Sequence, residues 1–112
     1  NFRNVDEAEG HEPDQYEHEL KLWWPQNESI YATLLAYSLT GDNTYLEWFR
    51  KIEQYFYSHF PDPEYGEIFK YLRRDGTLSS TLKGTRWAGM FHHPRMLFNL
   101  INLMEEMKEK AE

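Results

Sequence analysis

The 112-residue chain contains no cysteine. Disulfides and thiolate metal sites are therefore excluded, and the redox compartment is left open. No apolar run approaches the ~20 residues of a membrane-spanning helix, and no secretory leader pattern opens the chain. Basic residues are in the minority: 12 Lys and Arg stand against 19 Asp and Glu, for a formal net charge of −7. Nucleic-acid binding needs a clustered basic face, so that class of partner is not expected. A soluble cytoplasmic protein with no membrane partner is the expectation. No methionine stands at position 1, which reads as a chain beginning partway through a gene product. Its size fits one domain or a piece of one.

Aromatic residues, by contrast, are abundant at 17%, with four Trp and eight Tyr. Such side chains bury large areas in cores and also line sugar sites, so their number supports a folded chain without choosing between the two uses. Two stretches concentrate the chemistry. Gly89-Met90-Phe91-His92-His93-Pro94-Arg95 brackets a proline with two histidines and an arginine, just ahead of a strongly helical run. Proline favours the first position of a helix, so this stretch reads as a loop delivering His92 and Arg95 to a helix N-terminus. Trp23-Trp24-Pro25-Gln26-Asn27-Glu28 repeats the arrangement with a carboxylate.

Residues 1–20 are acidic and poorly periodic and read as a lead-in, with residues 21–112 forming the folded segment. A first helix is expected from about Pro25 to Leu39, with Ile30, Leu34, Leu35 and Tyr37 on its apolar face and Gly41 as its stop. A second follows over 44–60, capped by Asp42 or Asn43 and ended by Pro61. Asp75-Gly76 is a strong turn signal, so residues 67–72 and 77–82 read as a short β-hairpin. A third helix is expected over 94–109. The first and third helices would run in one direction, and they are assumed to be neighbours. Glu28, in the first turn of one, would then share a mouth with Arg95, in the first turn of the other, and with His92 just before it.

At these residues the chain resembles the N-acylglucosamine 2-epimerase family, whose animal members are also known as renin-binding proteins. The matching features are Lys21-Leu22-Trp23-Trp24-Pro25 with Glu28, Asp62-Pro63-Glu64-Tyr65-Gly66-Glu67, Tyr71-Leu72, Asp75-Gly76, Lys83-Gly84 and Phe91-His92 with Pro94-Arg95. The resemblance implies an all-α fold, the C-terminal part of an (α/α)6 barrel, carrying the short β-hairpin between helices. It also implies interconversion of N-acetylglucosamine and N-acetylmannosamine by two histidines on opposite faces of the opened sugar. His92 matches the later histidine; the earlier one belongs upstream. Glu28 and Arg95 match residues implicated in the family site. No cofactor or metal is implied as a requirement, while a nucleotide such as ATP as activator and a homodimer fit the family. Ile68, Lys70, Met90 and His93 depart from the usual pattern.

Inversion at C2 of an opened sugar needs a base on one face and an acid on the other, because one base on one face returns the same stereoisomer. A histidine with pKa ~6.5 can serve either role at neutral pH. In this reading His92 moves the proton, Glu28 binds hydroxyls or orients the imidazole, and Arg95 steadies the developing oxyanion. Trp23, Trp24 and Lys83 are the candidate substrate-binding residues.

Each of these residues also has a plainer reading. His92 could be a loop histidine satisfied by backbone, and Glu28 a carboxylate placed by the helix dipole. Arg95 could pair with Glu64 or Glu67. The two tryptophans could be core, and Lys83 could simply close its loop. His93 reads as an N-cap or solvent residue, and His18 and His59 as surface residues. His11 and His18 with nearby acids lack diagnostic metal-ligand spacing. Two other functions stand beside the first: a non-catalytic helical interaction module, and an epimerase or isomerase of another sugar such as cellobiose or mannose.

Overall fold

The computed structural model describes residues 16–112. The acidic lead-in up to residue 15 lies outside them, as does His11. A 3-10 turn over Tyr16–Glu19 feeds strand β1 (Leu20–Leu22), which runs directly into helix α1 (Trp23–Thr40). Helix α2 (Asn43–His59), strand β2 (Tyr71–Arg73) and helix α3 (His92–Ala111) follow.

Helix α1 ends where Gly41 adopts φ 71°, which lets its N–H reach back to the Tyr37 carbonyl at 2.8 Å. Asp42 then caps α2 by accepting from the Thr44 N–H at 2.9 Å. Helices α1 and α3 both begin two residues ahead of their proline, earlier than expected from sequence. The reason is that the first four N–H groups of any helix lack an intrahelical acceptor, so Pro25 and Pro94 fit at the third position as well as at the first. The orphan N–H of Trp23 is met by the Lys70 carbonyl at 3.1 Å.

The core gathers Ile30 and Leu34 of α1, Phe56 of α2 with Phe60 just beyond it, and Met96, Leu100 and Leu103 of α3. Trp23, Ile68 and Leu72 close it at one end. Helix α1 packs against both α2 and α3, so its apolar residues spread over more of its circumference than a one-sided surface helix would show. Among the described residues no helix is long and apolar enough to cross a membrane.

The turn at Asp75-Gly76 forms, but the strands expected over 67–72 and 77–82 shorten to β2 and a single bridge at Leu78. Gly76 N–H donates to the Arg73 carbonyl at 3.0 Å, and Leu72 bridges Leu78 across the hairpin. The other edge of β2 is taken by β1, antiparallel, in the register Leu20↔Arg73, Lys21↔Leu72 and Leu22↔Tyr71. This pairing joins residues about fifty apart, so no local turn signal in the sequence announces it. It staples the excursion between α2 and α3 onto the start of α1.

Candidate active site

Glu28 lies in the second turn of α1, and His92 and Arg95 lie in the first turn of α3. His92 Nδ1 is 2.8 Å from Glu28 Oε1, and the Arg95 guanidinium donates to the same oxygen. The N-termini of α1 and α3 therefore share one mouth, as the sequence predicts. Since a carboxylate only accepts, Nδ1 carries the proton, and Nε2 keeps its lone pair when the ring is neutral. Among the described residues Nε2 has no hydrogen-bond partner. Burial alone would push the Glu28 carboxyl up. The hydrogen bonds from His92 and Arg95, with the charge of Arg95, outweigh it and hold the pKa below the usual carboxylate value. Arg95 also lies 4.1 Å over the Phe91 ring, and its acid partner is Glu28 rather than Glu64 or Glu67.

His92 opens onto a pocket of about 370 Å³ lined by Trp23, Trp24, Tyr71, Trp87 and Phe91, with Leu22 and Glu17. That volume falls within the ~300–1,000 Å³ typical of small-molecule sites. Trp23 is 4% exposed and sits edge-on to His92 and Tyr71, so it is chiefly a packed wall. Trp24 is half-buried, with its ring 5.5 Å from that of His92. Lys83 does not line this pocket. It binds the Asp62 carboxylate and the Gly66 carbonyl, the latter at 2.8 Å, and so pins the turn that Asp62 builds.

His93 is neither a cap nor a solvent residue. Phe91 occupies the N-cap, and the His93 ring stacks on Phe56 at 5.6 Å while its Nδ1 meets Asn27 Oδ1 at 2.9 Å. Burial, and next the charge of Lys70, lower its pKa, with Glu67 opposing. His59 is exposed as expected and stacks on Tyr55. The His18 side chain lies outside the description. Among the described residues no three His, Asp or Glu side chains gather in a way that could hold a metal ion.

Sequence reasoning missed Asn27, Tyr71 and Trp87. Asn27 carried a faint signal, a short polar side chain one residue before Glu28 within a helix. Tyr71 reaches the pocket through the β1–β2 pairing and could not be placed from local pattern.

The family profile of N-acylglucosamine 2-epimerase (GlcNAc 2-epimerase) matches residues 6–95. The N-acylglucosamine 2-epimerase of Bos taurus is 47% identical over 91 residues, 81% of this chain and 22% of the relative. That of Mus musculus is 40% identical over 106 residues, 95% of this chain and 25% of the relative. Among solved structures, the cellobiose 2-epimerase of Spirochaeta thermophila superposes with a TM-score of 0.71 at 27% identity, covering 79% of this chain and 22% of that one. The chain thus spans about a quarter or less of the length of these relatives. The helices described here are part of an (α/α)6 barrel, and the chain belongs to the N-acylglucosamine 2-epimerase family.

Proposed function

We propose that this chain contributes one face of the active site of a sugar 2-epimerase that interconverts N-acetylglucosamine and N-acetylmannosamine. The observation that carries the proposal is the convergence of His92 and Arg95 on one oxygen of Glu28, beside an aromatic-walled pocket. The higher identity to N-acylglucosamine 2-epimerases than to the cellobiose enzyme, 47% against 27%, favours the N-acylated amino sugar.

In the opened sugar the C1 aldehyde acidifies the C2 proton. His92 Nε2 removes that proton, or returns one, on its own face of C2. Glu28 holds Nδ1–H in place and steadies the imidazolium that forms. Arg95 has five N–H donors, so it can hold Glu28 and still offer a donor to the enediolate oxygen. A second histidine, on the opposite face, comes from the rest of the barrel.

The test is His92→Asn in the full-length protein, read by turnover and by solvent-deuterium exchange at C2. Removing a general acid–base group typically lowers the rate ~10²–10⁴-fold. The variant should block epimerisation while substrate affinity changes little, and the other histidine can still wash out the C2 proton of one epimer. Near-normal turnover by His92→Asn refutes the assignment.

A further inference from the structure

Two neighbouring residues of α1 meet two neighbouring residues of α3. Glu28 meets His92 at the mouth, where their side chains are 39% and 24% exposed. One layer deeper, Asn27 meets His93, and Asn27 is 0% exposed. The amide of Asn27 is fixed from both ends: its Nδ2 donates to the Trp23 carbonyl at 2.9 Å and its Oδ1 accepts from His93 Nδ1. Flipping the amide would point its oxygen at the Trp23 carbonyl, so the orientation is set, and with it the Nδ1–H tautomer of His93. The far side of the imidazole is held by its stack on Phe56 of α2.

We infer that the Asn27–His93 hydrogen bond is a positioning latch that fixes the rotation and axial register of α3 against α1, and so sets the Glu28–His92 geometry. Successive residues on a helix are separated by about 100°. Apolar packing in the core holds α3 to α1 but is non-directional; a second polar contact, one residue on from the outer one, fixes the angle at which the first turn of α3 meets α1. The inner bond is suited to the task because its acceptor side chain, Asn27, is fully enclosed, whereas the acceptor of the outer pair, Glu28, is 39% exposed and stays open to substrate. Asn27 and His93 do not line the pocket that holds His92, so they act through it.

The inference rests on the epimerase reading for its kinetic test but not for its spectroscopic one. In the full-length protein, His93→Leu keeps a side chain that packs on Phe56 and withdraws the donor. Its kcat should fall about tenfold to a hundredfold, the effect of a small misplacement of a catalytic group, while KM changes less than threefold. His93→Asn places an amide N–H where Nδ1 stood and should restore kcat to within about threefold of the parent. A residue that only stabilises the fold would alter Tm without this kcat loss and rescue. Independently of activity, ¹⁵N-histidine spectra should show the His92 Nδ1–H held against exchange in the parent and in His93→Asn, and exchanging rapidly in His93→Leu. If His93→Leu does not fold, Asn27→Ala withdraws the acceptor from the other side and carries the same expectation. A His92 Nδ1–H that stays protected in the Leu or Ala variant, or an unchanged kcat, overturns the latch. An inactive parent with the spectroscopic pattern intact refutes the epimerase reading and leaves the latch standing.

Discussion

Replacing Glu28 with Gln in the full-length enzyme tests how the charged cluster shares its work. Both donors, His92 Nδ1–H and the Arg95 guanidinium, reach the same oxygen, Oε1. A glutamine can place its carbonyl oxygen there, so the geometry survives, but the charge that makes both bonds strong is gone. Hydrogen bonds to a charged group contribute about 1.5–3 kcal/mol, roughly twice a neutral one. The side chain is 39% exposed, and solvent screening places the loss toward the lower end of that range. A loss of about 1.4 kcal/mol of imidazolium stabilisation corresponds to tenfold in rate. Glu28→Gln should therefore lower kcat about ten- to thirtyfold, less than His92→Asn, and raise KM as well, because Arg95 loses its anchor. Steady-state epimerisation of both N-acetyl hexosamines measures each parameter. A kcat within twofold of the parent would show that Glu28 does no more than complement the helix dipole.

Further expectations follow from the packing. Gly76 has φ 89°, and a Cβ there would lie 3.0 Å from the His59 ring and 3.1 Å from the Tyr55 hydroxyl; Gly76→Ala should destabilise by about 1–3 kcal/mol, read as a drop in Tm. Phe56 is 0% exposed between Phe60 and His93, so Phe56→Ala should cost about 3–5 kcal/mol in denaturant unfolding. His93 has a folded-state pKa below its ordinary value because of burial and Lys70, with Glu67 opposing. Its neutral form is favoured by folding, so its contribution is complete above pH ~6.5 and is lost as pH falls below that value. The Tm difference between pH 7.5 and 5.5 should accordingly shrink in His93→Asn. The 112-residue chain alone leaves Phe98, Ile101, Met104 and Trp48 exposed and should self-associate in light scattering; a monodisperse monomer would count against that.

The three helices were legible because their signals are local. Asp42, Gly41 and the spacing of Ile30, Leu34, Phe56, Met96 and Leu100 each act within a few residues. The shared mouth followed from helix direction together with the assumption that the first and third helices are neighbours, and the Glu28–His92–Arg95 contacts agree with it. The pairing of β1 with β2 was not legible, because two three-residue strands fifty positions apart leave no periodicity to read. His93 was misplaced for a related reason. Its surroundings, Phe56 and Asn27, come from two other helices, and a histidine in a motif looks the same in sequence whether its ring meets water or a phenylalanine.

The stapling of the excursion onto the start of α1 divides labour within the site. Glu28, His92 and Arg95 stand on long helices anchored in the core, whereas Tyr71, Trp87 and Phe91 join Trp23 and Trp24 of α1 at the pocket from the segment between α2 and α3. Substitution in that segment can reshape its share of the pocket wall while Glu28, His92 and Arg95 keep their spacing. If the proposed epimerase function holds, a scaffold built this way could change which sugar it accepts without rebuilding its chemistry, and exchanging residues 61–91 between relatives should shift substrate preference while the Glu28–His92–Arg95 contacts persist.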